Sequence, residues 1–447
     1  MGCITLNDWI GKTTLVGYPS TYTEQWRTDL YNAPRGTSDI LPEDQMAWSH
    51  VRNKASSLAS LYGYHLLETP LFETTNLFTR GVGQSTDIVE KEMYTFEDRG
   101  GDSLTLRPEG TAPVCRAYLE HGMHNLPQPV RMYYLCPIFR YERPQAGRYR
   151  QHHQFGVEVL GDSDPTIDAE IIDMAWRLMN DLGLKDLSLL INTIGDTKCR
   201  PRYIAELKSY YSSNLNQLCA DCQNRFERNP LRLLDCKQKS CISISDKAPQ
   251  VFKYLCQECA GHWQELVSHL ESLNIPFIIN PKLVRGFDYY TRTVFEIQPA
   301  EESGQSNICG GGRYDGLMEQ IGGPPTPGIG FGIGLERLIL NLKRQKISFP
   351  ITDSVIVLIA SLGEDAKRAA LTIASDLRDK GIGTILGPSK RSLRAQMRYA
   401  NTANVPYVLV IGDEEITKGT IVIRNMKQGT QQEVTLSEAL TQIQNQP

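Results

Sequence analysis

Hydrophobic and polar positions alternate with different periods along this chain, and the changes of period mark its elements. Between Pro42 and Tyr62, Ala47, Val51, Ala55, Leu58 and Tyr62 recur every three or four residues, which predicts a helix with one apolar face. The stretch "YHLLETPLFE" follows as an extended segment, and Pro70 suits an edge or interface strand. "DSLTLRPEGTAPVCRAYLEHG" reads as strand, turn and helix, with Thr111 as N-cap and Pro113 in the first turn. Residues 131–160 read as a hairpin around "RPQAGR", and residues 166–182 as an amphipathic helix. Residues 196–270 turn Cys-rich, charged and mostly helical, as an inserted domain would. "LVRGFDYYTRTVFEI" returns to strand, "CGGGRYDG" reads as a Gly-rich loop, and "GIGFGIGLERLILNL" as strand running into helix. Beyond a linker at 343–353, the apolar runs "SVIVLIA" and "PYVLVIG" flank a helix over 364–380, which predicts a small α/β domain with parallel pairing.

These shifts predict an extension over 1–32, a main domain over 33–342 with the insertion inside it, and a C-terminal domain over 354–447. The length of 447 residues also calls for two or three domains. No apolar run approaches the roughly 20 residues of a membrane span. The first twenty residues lack the charged and apolar regions of a secretory signal. With eleven cysteines, an odd number, a disulfide framework is not expected, and a reducing cytoplasm fits. Net charge is −4, so a nucleic-acid partner must be held by local basic patches.

Chemistry concentrates in "FRYERPQAGRYRQHHQFGVE", residues 139–158. A two-residue period puts Arg148, Arg150, His152, Gln154, Gly156 and Glu158 on one face and Phe155, Val157 and Val159 on the other. One face is then a polar floor, and Gly156 leaves a gap between Gln154 and Glu158 where a small ligand could sit. Guanidinium groups match phosphate oxygens two at a time, so the arginines suit phosphates; a solvated face with structural ion pairs is the bland alternative. "TLRPEGTAP" sets Glu109 and Thr111 at a helix start, where amides and hydroxyls bind ligands or merely cap. The glycines at 328, 330, 332 and 334 do not match G-x-G-x-x-G; they strip one strand face bare, and a flat ring such as adenine could lie there. Arg337 follows in the first turn of the helix. In "LVRGFDYY", Arg285 and Tyr289 would share a strand face, Tyr290 would take the other, and Asp288 could orient Arg285 or a tyrosine.

Taken in order, these motifs resemble those of class II aminoacyl-tRNA synthetases, most closely the histidyl family, over about residues 33–445. "APRGTSDILPED" looks like that family's beginning, and the segment near Pro70 is similar to motif 1 at the dimer interface. "FRYERPQAGRYRQHHQFGVE" looks like motif 2, "GIGFGIGLERL" like motif 3, "LVRGFDYY" like a histidyl signature and "TLRPEGTA" like a substrate loop. The resemblance implies an α+β core, an antiparallel sheet flanked by helices, with a mostly helical insertion and a C-terminal α/β anticodon-binding domain. It implies a histidine pocket of Glu109, Thr111, Gln154, Glu158, Tyr289, Tyr290 and Tyr314. It implies ATP contacts from Arg140, Glu142, Arg148, Arg285 and Arg337, with Arg140, Arg285 and Arg337 acting in catalysis, and Mg²⁺ accompanying ATP. Gln145 would meet the tRNA acceptor end. The partners implied are tRNA(His), L-histidine and a second copy in a homodimer, with no membrane.

Two regions add to this independently. Residues 381–412 hold no Asp or Glu but carry Lys390, Arg391, Arg394 and Arg398, with 391, 394 and 398 on one helix face, a patch suited to tRNA phosphates. Cys219/Cys222 and Cys256/Cys259 are C-x-x-C pairs with Cys236 and Cys241 between them. That spacing suits tetrahedral zinc, but reduced, half-buried cysteines fit as well, and no metal ligand is assigned. Two rivals stand beside the ligase: a non-catalytic regulatory paralogue of histidine biosynthesis, and another class II synthetase, against which "RGFDYY" and "QFGVE" argue.

Overall fold

The structure is a computed structural model that describes residues 31–83, 86, 88–144, 147–300, 307–350 and 356–444. The expected extension therefore lies outside the described residues, apart from Tyr31 and Asn32. The chain divides into two compact units, with the boundary between Phe349 and Pro350.

An eight-stranded sheet organises the first unit. Its order is His65–Leu66, Val130–Phe139, Gln151–Leu160, Gly328–Gly334, Cys309–Arg313, Thr291–Pro299, Leu187–Thr193 and Ile278–Ile279. Only the two-residue edge strands pair in parallel; the six strands between are antiparallel. Alternation assigns the faces. Phe155, Val157, Val159, Phe295, Ile297, Ile329, Phe331 and Ile333 point to one side, under the helices Gln45–Leu61, Pro165–Asp181, Gln257–Ser272 and Leu335–Arg344. Met132, Tyr134, Cys136, Ile138, Val294, Tyr289, Tyr290 and Tyr314 belong to a second core on the other side, with the helix Thr111–Glu120 and the insertion. The polar floor of the hairpin lies in that second layer.

Buried charge pins the helical layer to the sheet. Asp168, fully buried, accepts hydrogen bonds from Arg313 Nε at 2.8 Å, His262 Nε2 at 2.8 Å and Thr293 Oγ1 at 2.5 Å. The helix Gln257–Ser272 begins in the Cys-rich stretch, yet its Leu266 and Leu270 sit in the main core.

Two local readings of the sequence need correction. "CGGGR" is a strand, not a loop, and its neighbours occupy the space its missing side chains leave. A Cβ on Gly310 would overlap the Arg285 guanidinium, and one on Gly311 would overlap Phe295. "LVRGFDYY" is a turn, and strand begins only at Thr291. Its backbone bonds elsewhere, with Asp288 N–H donating to Val82 O at 3.3 Å. Arg285, Tyr289 and Tyr290 therefore do not follow strand alternation.

The second unit is a five-stranded sheet in the order Thr384–Leu386, Val357–Ser361, Tyr407–Ile411, Ile421–Asn425 and Gln431–Val434. Parallel pairing holds for the first three strands, and the last two are antiparallel. The link before Ile421 holds only the six-residue helix Asp413–Lys418, too short for a crossover. Among the described residues, no helix is long and apolar enough to cross a membrane.

Candidate active site

Most of the candidate side chains converge on one cavity in the second layer of the first unit. Its lining includes Glu109, Thr111, Arg140, Glu142, Arg148, Gln154, Arg285, Tyr289, Tyr290, Tyr314 and Arg337. Glu158 sits just behind that lining, 1% exposed.

At one end, hydroxyls and carboxylates interlock. Glu158 Oε1 accepts from Thr111 Oγ1 at 2.8 Å and Tyr134 OH at 3.2 Å, and Glu158 Oε2 accepts from Tyr314 OH at 2.5 Å. Gln154 Nε2 donates to Tyr134 OH at 3.1 Å. Glu109 accepts from the amides of Thr111 at 2.6 Å and Ala112 at 2.8 Å, so this carboxylate closes the helix start. Gly110 is the N-cap and Thr111 the first helical residue, which frees the Thr111 hydroxyl to reach Glu158. Burial raises Glu158 to about 8; its three hydroxyl donors oppose the rise and Glu109 adds to it. Burial likewise raises Glu109, against the pull of its two amides. Tyr289 and Tyr314 are pushed well up by burial and stay protonated donors.

At the other end stand four arginines. Arg140 Nε donates to Pro108 O at 2.7 Å. Glu142 lies between Arg140, at 3.9 Å, and Arg148, at 3.5 Å. Arg337 donates to Asn307 O and Oδ1, both at 2.7 Å, and to Gly147 O at 3.1 Å. Burial lowers Arg337, and Arg148 lowers it further. Arg285 is ion-paired with Glu296 and lies over Gly310. Burial is the largest influence and would lower Arg285, but Glu296, Tyr290 and Tyr289 together outweigh it and the net shift is upward. His152, also lining the cavity, is held neutral, down to about 3, by burial and Arg140.

Other sequence expectations change here. No gap opens at Gly156, because the Tyr134 ring lies against both Gly110 and Gly156. The glycine face of 328–334 is partly taken: Tyr314 covers Gly328, Glu158 covers Gly330 and Gln154 covers Gly332, while at Gly334 only Arg337 Cβ comes near, at 4.0 Å. Arg150 leaves the cavity and stacks on Tyr141, 3.8 Å from its ring centre. Asp288 accepts from Asn229 at 2.6 Å, and Glu296 takes the role of orienting Arg285. Gln145 lies outside the described residues. Tyr134, Glu296 and Asn307 were missed by the site reading, and His152, placed on the polar face, was given no role; Tyr134 stands directly opposite Gly156 in the strand register, a signal available only once the hairpin is aligned.

In the second unit, Arg394 and Arg398 are exposed on the helix Leu393–Thr402. Arg391, also exposed, precedes the N-cap Ser392 and so is not on that helix. The cysteines fall into two groups with metal-ligand potential: Cys219, Cys222, Cys236 and Cys241, and Cys199, Cys256 and Cys259 with Asp196.

An antiparallel sheet carrying arginines from a hairpin and from the helix after a glycine strand, together with a separate mixed α/β unit, is the architecture of a class II aminoacyl-tRNA synthetase. Within that class, the chain belongs to the histidyl-tRNA synthetase family, whose model matches residues 36–338; a model of the anticodon binding domain matches 355–446. A histidine–tRNA ligase of Dehalococcoides mccartyi is 54% identical over 417 residues, covering 93% of this chain and 100% of the relative. One from Desulforamulus reducens is 51% identical over 409 residues, covering 92% and 98%. Among solved structures, apo histidyl-tRNA synthetase of S. aureus superposes with a TM-score of 0.79 at 36% identity, covering 93% of this chain and 100% of that one.

Proposed function

We propose that this chain ligates L-histidine to tRNA(His), using ATP and passing through a histidyl-adenylate. The observation that carries the reading is the single cavity with a carboxylate–hydroxyl end and a four-arginine end. The first suits an ammonium and an imidazole, the second a triphosphate. The regulatory-paralogue reading is not favoured, since the relatives that match nearly end to end are ligases.

The histidine carboxylate attacks the α-phosphate and pyrophosphate leaves. The tRNA terminal ribose hydroxyl then attacks the adenylate carbonyl and AMP leaves. Arg285 and Arg140 are held by Glu296 and Pro108 O before any substrate arrives, so they stabilise the phosphoryl charge with little reorganisation. Arg337 and Arg148 suit the departing phosphates. Glu109, Thr111, Gln154 and Glu158 suit the ammonium end, and Tyr289, Tyr290 and Tyr314 surround the side chain. Glu142 Oε2, buried without a hydrogen bond and with the Arg148 guanidinium at 3.5 Å, is the carboxylate oxygen suited to a Mg²⁺ that accompanies ATP. When bound, the ion would neutralise phosphate charge there.

For tRNA, exposed Arg391, Arg394 and Arg398 suit the phosphate backbone. We read the protein as a homodimer, supported by exposed apolar side chains around Phe72, and as cytoplasmic, supported by ten free described cysteines. ATP–pyrophosphate exchange with each of the twenty amino acids tests the central reading. Exchange with histidine alone is the expected result. Exchange with another amino acid would overturn the pocket, and none at all in folded protein would restore the regulatory paralogue.

A further inference from the structure

Away from the catalytic cavity, the Cys-rich stretch gathers sulfur at two places. The ligand atoms of Cys219, Cys222, Cys236 and Cys241 all lie within 4.8 Å of one another, and so do those of Asp196, Cys199, Cys256 and Cys259. The fold thus sorts six cysteines apparent from spacing into a four and a two, and completes the two with Cys199 and Asp196.

Both C-x-x-C pairs adopt the same local geometry. Cys219 is the extended N-cap of the helix Ala220–Arg228, with φ −65° and ψ 159°, and Cys256 is the extended N-cap of Gln257–Ser272, with φ −72° and ψ 166°. Cys222 and Cys259 follow in the first turns. Each pair sets both of its sulfurs at one helix N-terminus. Backbone amides also donate to sulfur: Cys219 N to Cys241 Sγ at 3.3 Å, and Asp196 N to Cys199 Sγ at 3.4 Å.

The spacing fits one small ion. Cys219 Sγ and Cys236 Sγ are 3.8 Å apart. A tetrahedron with metal–sulfur bonds of about 2.3 Å has edges of about 3.8 Å. A disulfide needs about 2.05 Å, and these cysteines are free. An iron–sulfur cluster would hold its thiolates farther apart, with several irons between them. Ordinary apolar burial does not require convergence either, and Cys219, Cys236 and Cys256 are only half-buried. The helix Ala220–Arg228 itself buries Cys222 alone.

We propose that two Zn²⁺ ions organise the insertion, one held by Cys219, Cys222, Cys236 and Cys241, the other by Cys199, Cys256, Cys259 and Asp196. Four protein ligands close each site, so the ions are structural. They brace the catalytic unit from two sides. Cys236 lines a groove that also reaches Arg140 and Arg285. Arg200, next to Cys199, donates to Tyr290 O at 2.6 Å, under the tyrosine turn of the cavity.

The test is elemental analysis of untagged full-length protein purified without added metal. Two zinc ions per chain are expected, falling to one in C219S/C222S and to one in C256S/C259S. No stoichiometric zinc, or iron in its place, overturns the proposal; a single zinc overturns whichever site has a double variant that keeps it. Because those variants could fail to fold, the intact chain gives a second measurement. Titration with a mercurial should release two zinc ions with loss of helical circular dichroism, and Co²⁺ exchange should produce thiolate charge-transfer and tetrahedral d–d bands. Silent Co²⁺ spectra would overturn it.

Discussion

Arg285 has its charge set by Glu296, its position by Gly310, and a buried Nε with no partner. Such a group is aimed before substrate binds. Arg285→Ala should lower histidine-dependent pyrophosphate exchange by about 10²- to 10³-fold, the usual loss for a preorganised donor, with histidine affinity by calorimetry little changed. Exchange near the parent rate would remove Arg285 from the mechanism. Glu158 gives a pH prediction. Raised from 4.5 to about 8, it is mostly neutral below that pH in the free protein. An ammonium prefers the anion, so histidine affinity should rise with pH up to about 8, and binding below 8 should release a proton. Calorimetry in buffers of different ionisation enthalpy reads that proton; no buffer dependence at pH 7 would refute it. For stability the sign is opposite. The folded state holds this proton between about 4.5 and 8 while the unfolded chain does not, so Glu158's contribution falls as pH rises through that window.

At the scale of elements, legibility in the sequence followed the range of the cause. The 151–160 strand was legible because a period of two depends only on its own residues: Phe155, Val157 and Val159 did go to one core, and Gln154 and Glu158 to the site. "GIGFGIGLERL" was legible as strand into helix for the same reason. "CGGG" was not, since glycine lacks strand propensity and what keeps it in the sheet is antiparallel pairing with Thr291–Pro299 on one side and Gly328–Gly334 on the other. Tyr134 and Glu296 stayed hidden because each is defined by a pairing that periodicity does not give: the hairpin register for Tyr134 and Gly156, and the turn before Thr291 for Glu296 and Arg285. Asp168 shows how much one such long-range partner can hold. Asp168→Ala would leave buried Arg313 with Asp315 at 3.2 Å as its remaining carboxylate and take the shared acceptor from His262 and Thr293, at about 3–5 kcal/mol, and chemical denaturation should show it. A loss under about 1 kcal/mol would mean the helices are held by apolar packing alone. The basic helix predicts a separable effect. R394A/R398A should weaken tRNA binding and flatten its salt dependence by roughly one to two in slope, with pyrophosphate exchange unchanged. An unchanged salt slope would remove this helix from the tRNA interface.

At the scale of the molecule, one apolar surface is tied to Arg140 by a short path. Leu66, Leu71, Phe72 and Phe96 are each 43% to 53% exposed, and the Phe72 and Phe96 rings meet edge to face with centroids 6.2 Å apart. Just beside this patch, Arg107 is nearly fully buried and donates to Thr69 O at 2.8 Å, Pro70 O at 3.2 Å and Pro137 O at 2.8 Å. The next residue, Pro108, supplies the carbonyl that holds Arg140. Covering the patch with a second copy would thus fix the 69–70 segment, and through Arg107 and Pro108 the side chain of Arg140. Light scattering should give the parent chain twice its 50.3 kDa mass, and Phe72→Glu should return it to one copy. That monomer should keep its circular dichroism yet lose most of its exchange activity. A parent chain already at 50.3 kDa would refute the dimer, and a fully active Phe72→Glu monomer would cut the link from this surface to Arg140.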